Sequence, residues 1–487
     1  MSNSRVTQTV TAKTEDSLFL LKLSKYLAVL IIFFGATQFG LHFWPSSALV
    51  YGIRIDYLSP TLYFLDILII LYLCLQGLTL KEVPNPAVSK AGKVRPYWNF
   101  SETGSDLVGT LAPLLLTNLL YSQNPLSTLS WSLHFLLYFL FSVSLGSDLK
   151  GRAQPAVSKA GRSDHAGVHK FENWRTCLAA RRVYDLGFIL SLSLLFQTAL
   201  AAAQVFLGHS VGGIMYYLGE RMVSVGAPGI ALGSFMDQVA LRAYGTFSHP
   251  NVLAGYAVIS FLIILFLSPK GLTLKDEPSP AGSKAGKVRP YWYYSRPGQI
   301  LWVPLIPVVL LVILTQSRSA ALSLFGIVIP FFLIKKLKYR LLYFVIIFSL
   351  LTSPFSLLHP TRTELSSLQR ITLQNLSFSV TRSFPVFGTG AQGSISTYPR
   401  IDSSIRLLQP DHNSFTLFLS WFGIFGIIGV LYSLRPTTYN LRSLLPILPL
   451  LLFDHYLLTS PQGMFLLVLY LSMCSPVLNY IHAQKNR

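Results

Sequence analysis

Apolar residues in this chain come in long blocks, without the alternation of half-buried strands. Residues 58–75, 186–203, 252–267 and 341–351 are almost free of charge. Similar blocks recur to the end of the chain, with short polar breaks between them. A helix needs ~20 apolar residues to cross a bilayer. The pattern predicts twelve spans, at 26–44, 58–77, 107–121, 129–146, 184–207, 249–268, 300–315, 319–334, 341–358, 413–433, 444–458 and 463–482. The expected fold is all-α, a polytopic membrane protein with about 12 transmembrane helices in a single domain. Its largest outer-face loop, residues 359–412, joins the ninth and tenth spans. The polar leader runs to Lys25 and no small-x-small site follows the first apolar run, so no cleaved signal is expected.

Composition sharpens this reading. Of 487 residues, 52% are hydrophobic and 12% charged, against about 25% charged in soluble domains. A net charge of +20 suggests nucleic acid in a soluble protein. Here the charges lie between apolar blocks, where they set orientation. With the N-terminus inside, the inner segments hold 30 of the 39 basic residues. Both termini and the loops at 79–106, 147–183 and 269–299 are then cytoplasmic. All 17 lysines fall inside, and the nine outer basic residues are arginines: Arg54, Arg221, Arg242, Arg318, Arg362, Arg370, Arg382, Arg400 and Arg406. Orientation needs no such sorting. Arginine's planar fork binds phosphate oxygens two at a time, which points to an anionic, phosphate-bearing ligand outside.

The inner loops carry a repeat. Residues 77–98 read GLTLKEVPNPAVSKAGKVRPYW and 271–292 read GLTLKDEPSPAGSKAGKVRPYW, with PAVSKAG again at 155–161. Rich in Pro, Gly, Ser and Lys, these segments are expected to be flexible insertions rather than parts of a bundle. The three cysteines, Cys74, Cys177 and Cys474, are far apart and no zinc-type His/Cys spacing occurs. Neither a disulfide framework nor a metal site is expected.

Candidate chemistry gathers on the outer face. The 359–412 segment ends in QPDHN at 409–413, directly before an apolar helix. Asp411 or Asn413 can cap that helix, which leaves His412, a natural proton acceptor near neutral pH, without a capping duty. Arg318 sits in a tight outward turn, TQSRSA at 315–320, where arginine is either functional or snorkelling. Arg242 precedes a turn, GTFSHPN at 245–251, in which His249 reads as a turn residue. Glu220 and Arg221 end an apolar stretch suited to the membrane surface. GTGAQG at 388–393 matches a nucleotide-binding pattern but lacks the βαβ setting, so its glycines are read as a tight turn. Asp454 and His455, near the outer end of a span, are either a satisfied buried pair or part of a site.

Three of these segments resemble the O-antigen ligase and O-antigen polymerase superfamily. RAYGTFSHPN at 242–251 is similar to its R-x-x-G-T-F-x-x-P-N motif, and TQSRSA at 315–320 to its T-x-S-R-x-A turn. The outer loop resembles the family's third region, from Arg370 through PVFGTG at 385–390 to His412-Asn413 and GIFGIIG at 423–429. The resemblance covers about residues 240–430. It implies a GT-C-like glycosyltransferase without a cofactor or metal, moving a glycan from an undecaprenyl-diphosphate carrier to a glycan, lipid or protein acceptor. It carries a catalytic histidine onto His412 and essential arginines onto Arg318 and Arg370, with Arg242, Arg382, Asp411 and Asn413 as substrate-binding candidates. Ligase and polymerase both fit, and nucleic acid is not an expected partner. A transporter of anions is the competing class, but it calls for charge at mid-span, where Asp66 is the main exception.

Overall fold

The computed structural model describes residues 19–20, 22–82, 102–150, 165–235, 238–267, 299–330, 339, 342–343, 345, 360–434 and 444–485. The long 83–101 and 268–298 stretches of the repeat segments, the PAVSKAG copy and most of the ninth expected span lie outside these residues.

The described chain is mostly helical. In order, it forms α1 (residues 22–34), β1 (Gly40–His42), β2 (Leu49–Val50), β3 (Ile53–Arg54), β4 (Thr61–Tyr63), α2 (Phe64–Glu82), α3 (Glu102–Leu120), α4 (Pro125–Lys150), α5 (His165–Leu207), α6 (Ile214–Tyr217), β5 (Leu232–Phe235) and β6 (Gln238–Leu241). It continues with α7 (Pro250–Leu267), α8 (Gln299–Thr315), α9 (Arg318–Ala321), α10 (Pro360–Ser383), α11 (Ser394–Ile401), α12 (Ser414–Leu434), α13 (Leu448–Phe453), α14 (Tyr456–Thr459) and α15 (Pro461–Lys485). Four helical segments are long and apolar enough to cross a membrane: Pro125–Leu145, Leu186–Leu207, Pro250–Leu267 and Ser414–Tyr432. Shorter apolar helices lie at Phe64–Gly77, Leu111–Leu120, Val303–Thr315, Arg318–Val328 and Pro461–Met473.

Several expected boundaries move. The first span stops at residue 34 and gives way to short strands. Helix α5 starts at His165, so 165–183, read as loop, is helical. Residues 444–458 are a 3-10 turn plus α13 and α14, interrupted at Asp454 and His455. The polar 359–412 segment contains two helices, α10 and α11.

The chain divides into two compact units. The first covers Met1–Leu145, Ser353–Asn440 and Leu450–Val468. In it the strands between α1 and α2 pair in order, β1 with β4 (Gly40 opposite Tyr63) and β2 with β3. They fold onto α10 and α11. Ala48, Val50, Ile55 and Leu58 meet Leu373, Leu376, Val380, Ile395 and Tyr398 in one buried cluster, edged by Trp44, Tyr57 and Phe384. Leu373, Leu376 and Val380 recur at helical spacing, so the polar-looking α10 is amphipathic and buries one stripe. Helix α4 ties this cap to the helices through Ser127 Oγ, which donates to Leu58 O at 2.6 Å, and holds α14 through Trp131 Nε1, which donates to Leu458 O at 2.7 Å. Asp66, in the first turn of α2, accepts from Tyr63 N at 2.8 Å and Tyr138 Oη at 3.0 Å, and pairs with His134 at 3.1 Å. Its charge is thus satisfied at a helix end.

The second unit covers Gly146–Thr352, Leu441–Pro449 and Leu469–Arg487. Its centre is α7, which packs on α5 and α8 and is buried at all but one of its positions. Uniform burial explains its sequence, apolar on every face. The β5–β6 hairpin pairs Leu232 with Leu241, and Val223, Leu241 and Tyr244 form a small core beneath it.

Candidate functional site

In the first unit, the DHN sequence before α12 sorts its roles by local geometry. Asn413 Oδ1 accepts from Phe415 N at 2.9 Å and Thr416 N at 3.3 Å, which makes Asn413 the N-cap. Asp411 supports the cap. Its Oδ1 accepts from Asn413 N at 3.1 Å, and the Thr416 hydroxyl donates to Oδ2. His412 takes no part in capping, as its neighbours already satisfy the helix start. Its Nδ1 is buried with no hydrogen-bond partner.

Burial, aided by the nearby Arg370 guanidinium, pulls the His412 imidazole down from 6.5 to about 4. The ring is therefore neutral at pH 7, the form that can accept a proton. Burial pushes the Asp411 carboxyl above its usual range, against the hydrogen bonds from Thr416 and Asn413. Burial, with the Asp411 charge behind it, also raises the Tyr398 hydroxyl. The first unit thus brings His412, Asp411, Asn413 and Arg370 together. Arg382 is exposed on the same helix as Arg370, 12 residues on, which at 1.5 Å per residue is about 18 Å along the axis.

Two features of this site were not assigned from sequence. His455, in the break between α13 and α14, sets its ring 5.1 Å from that of His412, centroid to centroid. Tyr57, from the turn before β4, lies edge-on to His455 at 5.7 Å. The Asp454-His455 pair was visible in the sequence, but its helix break was not. Tyr57 carried no signal.

The glycine-rich loop has a structural role. Gly388 (φ +70) and Gly423 (φ +60) lie where the 385–390 backbone meets a break in α12. Ile424 N donates to Pro385 O at 2.9 Å, Phe425 N to Val386 O at 3.0 Å, and Gly390 N to Trp421 O at 3.0 Å. Asn118 of α3 bridges both sides, donating to Trp421 O at 2.8 Å and accepting from Ala391 N at 2.9 Å. This backbone seam fixes the C-terminal side of α10, the helix that carries Arg370.

The second unit joins the other two motifs. Arg242 Nε donates to Thr315 O and its Nη2 to Asn251 Oδ1, both at 2.7 Å. Ala243 N donates to Leu314 O at 3.1 Å. Arg242 therefore braces the turn that presents Arg318, which is exposed at the start of α9. Two glutamines two turns apart on α5 hold the loop after Arg242. Gln204 Oε1 accepts from Tyr244 N and Gly245 N, and Gln197 exchanges hydrogen bonds with Thr246. Glu220 accepts from Gln204 Nε2, Val211 N and Gly212 N, each at 2.8 Å, so it holds a turn in place. His249 Nδ1 accepts from Asn251 N at 3.2 Å, as a turn residue does. No protein-family model matches the chain, and no curated protein sequence matches it.

Proposed function

We propose that this chain is a polytopic membrane glycosyltransferase of the O-antigen ligase and polymerase type, with about twelve spans and cytoplasmic termini. It would transfer a glycan from an undecaprenyl-diphosphate carrier to an acceptor at the outer face of the cytoplasmic membrane. The observation that carries this reading is the state of His412. It is a neutral, largely buried imidazole excused from capping, beside Arg370, at the mouth of a membrane-length apolar helix. The order of the three sequence motifs supports the same reading.

In the proposed reaction a ring nitrogen of His412 takes the proton of the acceptor hydroxyl. That oxygen bonds to the anomeric carbon as the carbon–oxygen bond to the carrier diphosphate breaks. The bonding pair leaves with the diphosphate, and Arg370, beside His412 in the same unit, offsets its charge. The transporter reading gains nothing from Asp66, which is held at a helix end by Tyr63, Tyr138 and His134.

A deletion strain tests the reading. Loss of the protein should leave lipid-linked glycan on the carrier. Long polymer would mark a ligase and single repeat units a polymerase, whereas an unchanged carrier pool would exclude both.

A further inference from the structure

The base reading leaves His455 without a role, although its ring touches that of His412. Three features fix it there. The helix breaks between α13 and α14, with His455 at φ −106 and ψ −12 immediately before α14. Its Nδ1 lies 2.7 Å from Thr459 Oγ1, one turn on. Tyr57 packs edge-on against its ring from the N-terminal cap. The His412 ring, by contrast, has a buried Nδ1 without a hydrogen-bond partner. It is the less constrained member of the pair.

We propose that His455 is the positioning partner of His412: the two imidazoles form a coupled pair that carries at most one positive charge, which holds the His412 ring in place and in its base form. This rests on the proposed role of His412 in glycan transfer. Centroids 5.1 Å apart leave no room for two charges, because their repulsion exceeds thermal energy in anything less polar than bulk water. The charged and titratable groups around the pair are Asp411 beside His412, Arg370 from α10, Tyr398 from α11, Tyr57 from the cap and Asp454 beside His455. Asp411 is committed to Asn413 N and the Thr416 hydroxyl. Arg370 adds to the cost of a charge on His412. A proton on His455 adds to it further, and the two rings titrate as a unit.

The test uses the full-length chain with ¹⁵N-labelled histidines, in lipid nanodiscs, followed by NMR from pH 8 to pH 4. No substrate is needed, so coupling is read independently of the transferase reading. Native His412 should stay neutral to about pH 4. In His455→Phe, which keeps a ring against Tyr57 but removes its nitrogens, His412 should titrate at least about half a pH unit higher. Thr459→Val should give a smaller change. His455→Gln, which keeps a polar group against Thr459, serves if the phenylalanine variant does not fold. A folded His455 variant in which His412 titrates as in the native chain would overturn the proposal.

Transfer from an undecaprenyl-diphosphate-linked oligosaccharide then links coupling to function. His455→Phe should lower kcat about tenfold or more, leave KM for the donor unchanged, and move the acidic limb of the rate profile to higher pH. Coupling by NMR with no effect of His455→Phe on transfer would overturn the positioning role of His455, whereas the role of His412 itself is tested by His412→Ala.

Discussion

Replacing Gly423 by alanine should be among the most damaging single-methyl changes in this protein. Gly423 adopts φ 60 and ψ −163 inside α12, a region that is close to glycine-only, where another residue costs about 1–3 kcal/mol. The added Cβ would also stand 2.3 Å from Val386 O and 2.5 Å from Val386 C. Both are backbone atoms, so no rotamer change relieves the clash, and the loop must separate from the helix. That separation breaks the hydrogen bonds from Ile424 N to Pro385 O and from Phe425 N to Val386 O, each worth about 1 kcal/mol net. Together these effects come to roughly 3–5 kcal/mol. Thermal unfolding of the detergent-solubilised protein, with membrane levels measured in parallel, reads the loss. Gly187→Ala is the control. It lies in α5 with nothing within 4 Å of its added Cβ, and should be neutral or stabilising by up to about 1 kcal/mol. Equal melting temperatures for Gly423→Ala and the native chain would refute the seam as a structural element.

Asn118→Ala removes both arms of the bridge between Trp421 O and Ala391 N and strands Ala391 N, while Trp421 O keeps its bond from Gly390 N. The expected loss is about 1–3 kcal/mol in the same unfolding assay. His412 should also impose a pH dependence on stability. Its folded value of about 4 lies below the ordinary 6.5, so the unfolded chain takes up the proton first as pH falls. Stability is lost between those values, by about 3 kcal/mol in all. A His412→Asn variant should lose that slope in denaturation series at pH 7 and pH 4.5. Asp411, raised by burial, acts oppositely, stabilising at low pH and losing that contribution as pH rises. It is common to both chains, so their difference isolates the histidine. Topology is checked by labelling introduced cysteines from outside. Ser403, exposed in the segment expected to face outward, should react, and residue 160 should not.

Much of the helical pattern was legible because long apolar blocks permit little else. The capping of α12 was legible too, since Asn413 and Asp411 have few other uses before an apolar run. Less visible was the cap built from residues 40–63. Its strands are two or three residues long, too short for any period to show. The polar length of α10 hid its buried stripe of Leu373, Leu376 and Val380 behind flanking Ser, Thr, Arg and Gln. The meeting of Gly388 with Gly423, and of His412 with His455, depends on tertiary approach between distant segments. A glycine or a histidine alone does not announce its partner. The first two motifs, separated by some seventy residues, do come together, and Arg242 is the reason.

The central claim is that His412 acts as the base for glycan transfer. Its most direct test uses purified protein in nanodiscs with an undecaprenyl-diphosphate-linked oligosaccharide and an acceptor, comparing native chain and His412→Ala for product and for donor binding. The account predicts that the variant folds and binds donor as the native chain does, yet transfers about 10²–10⁴-fold more slowly. Transfer by His412→Ala within about twofold of the native rate would contradict it.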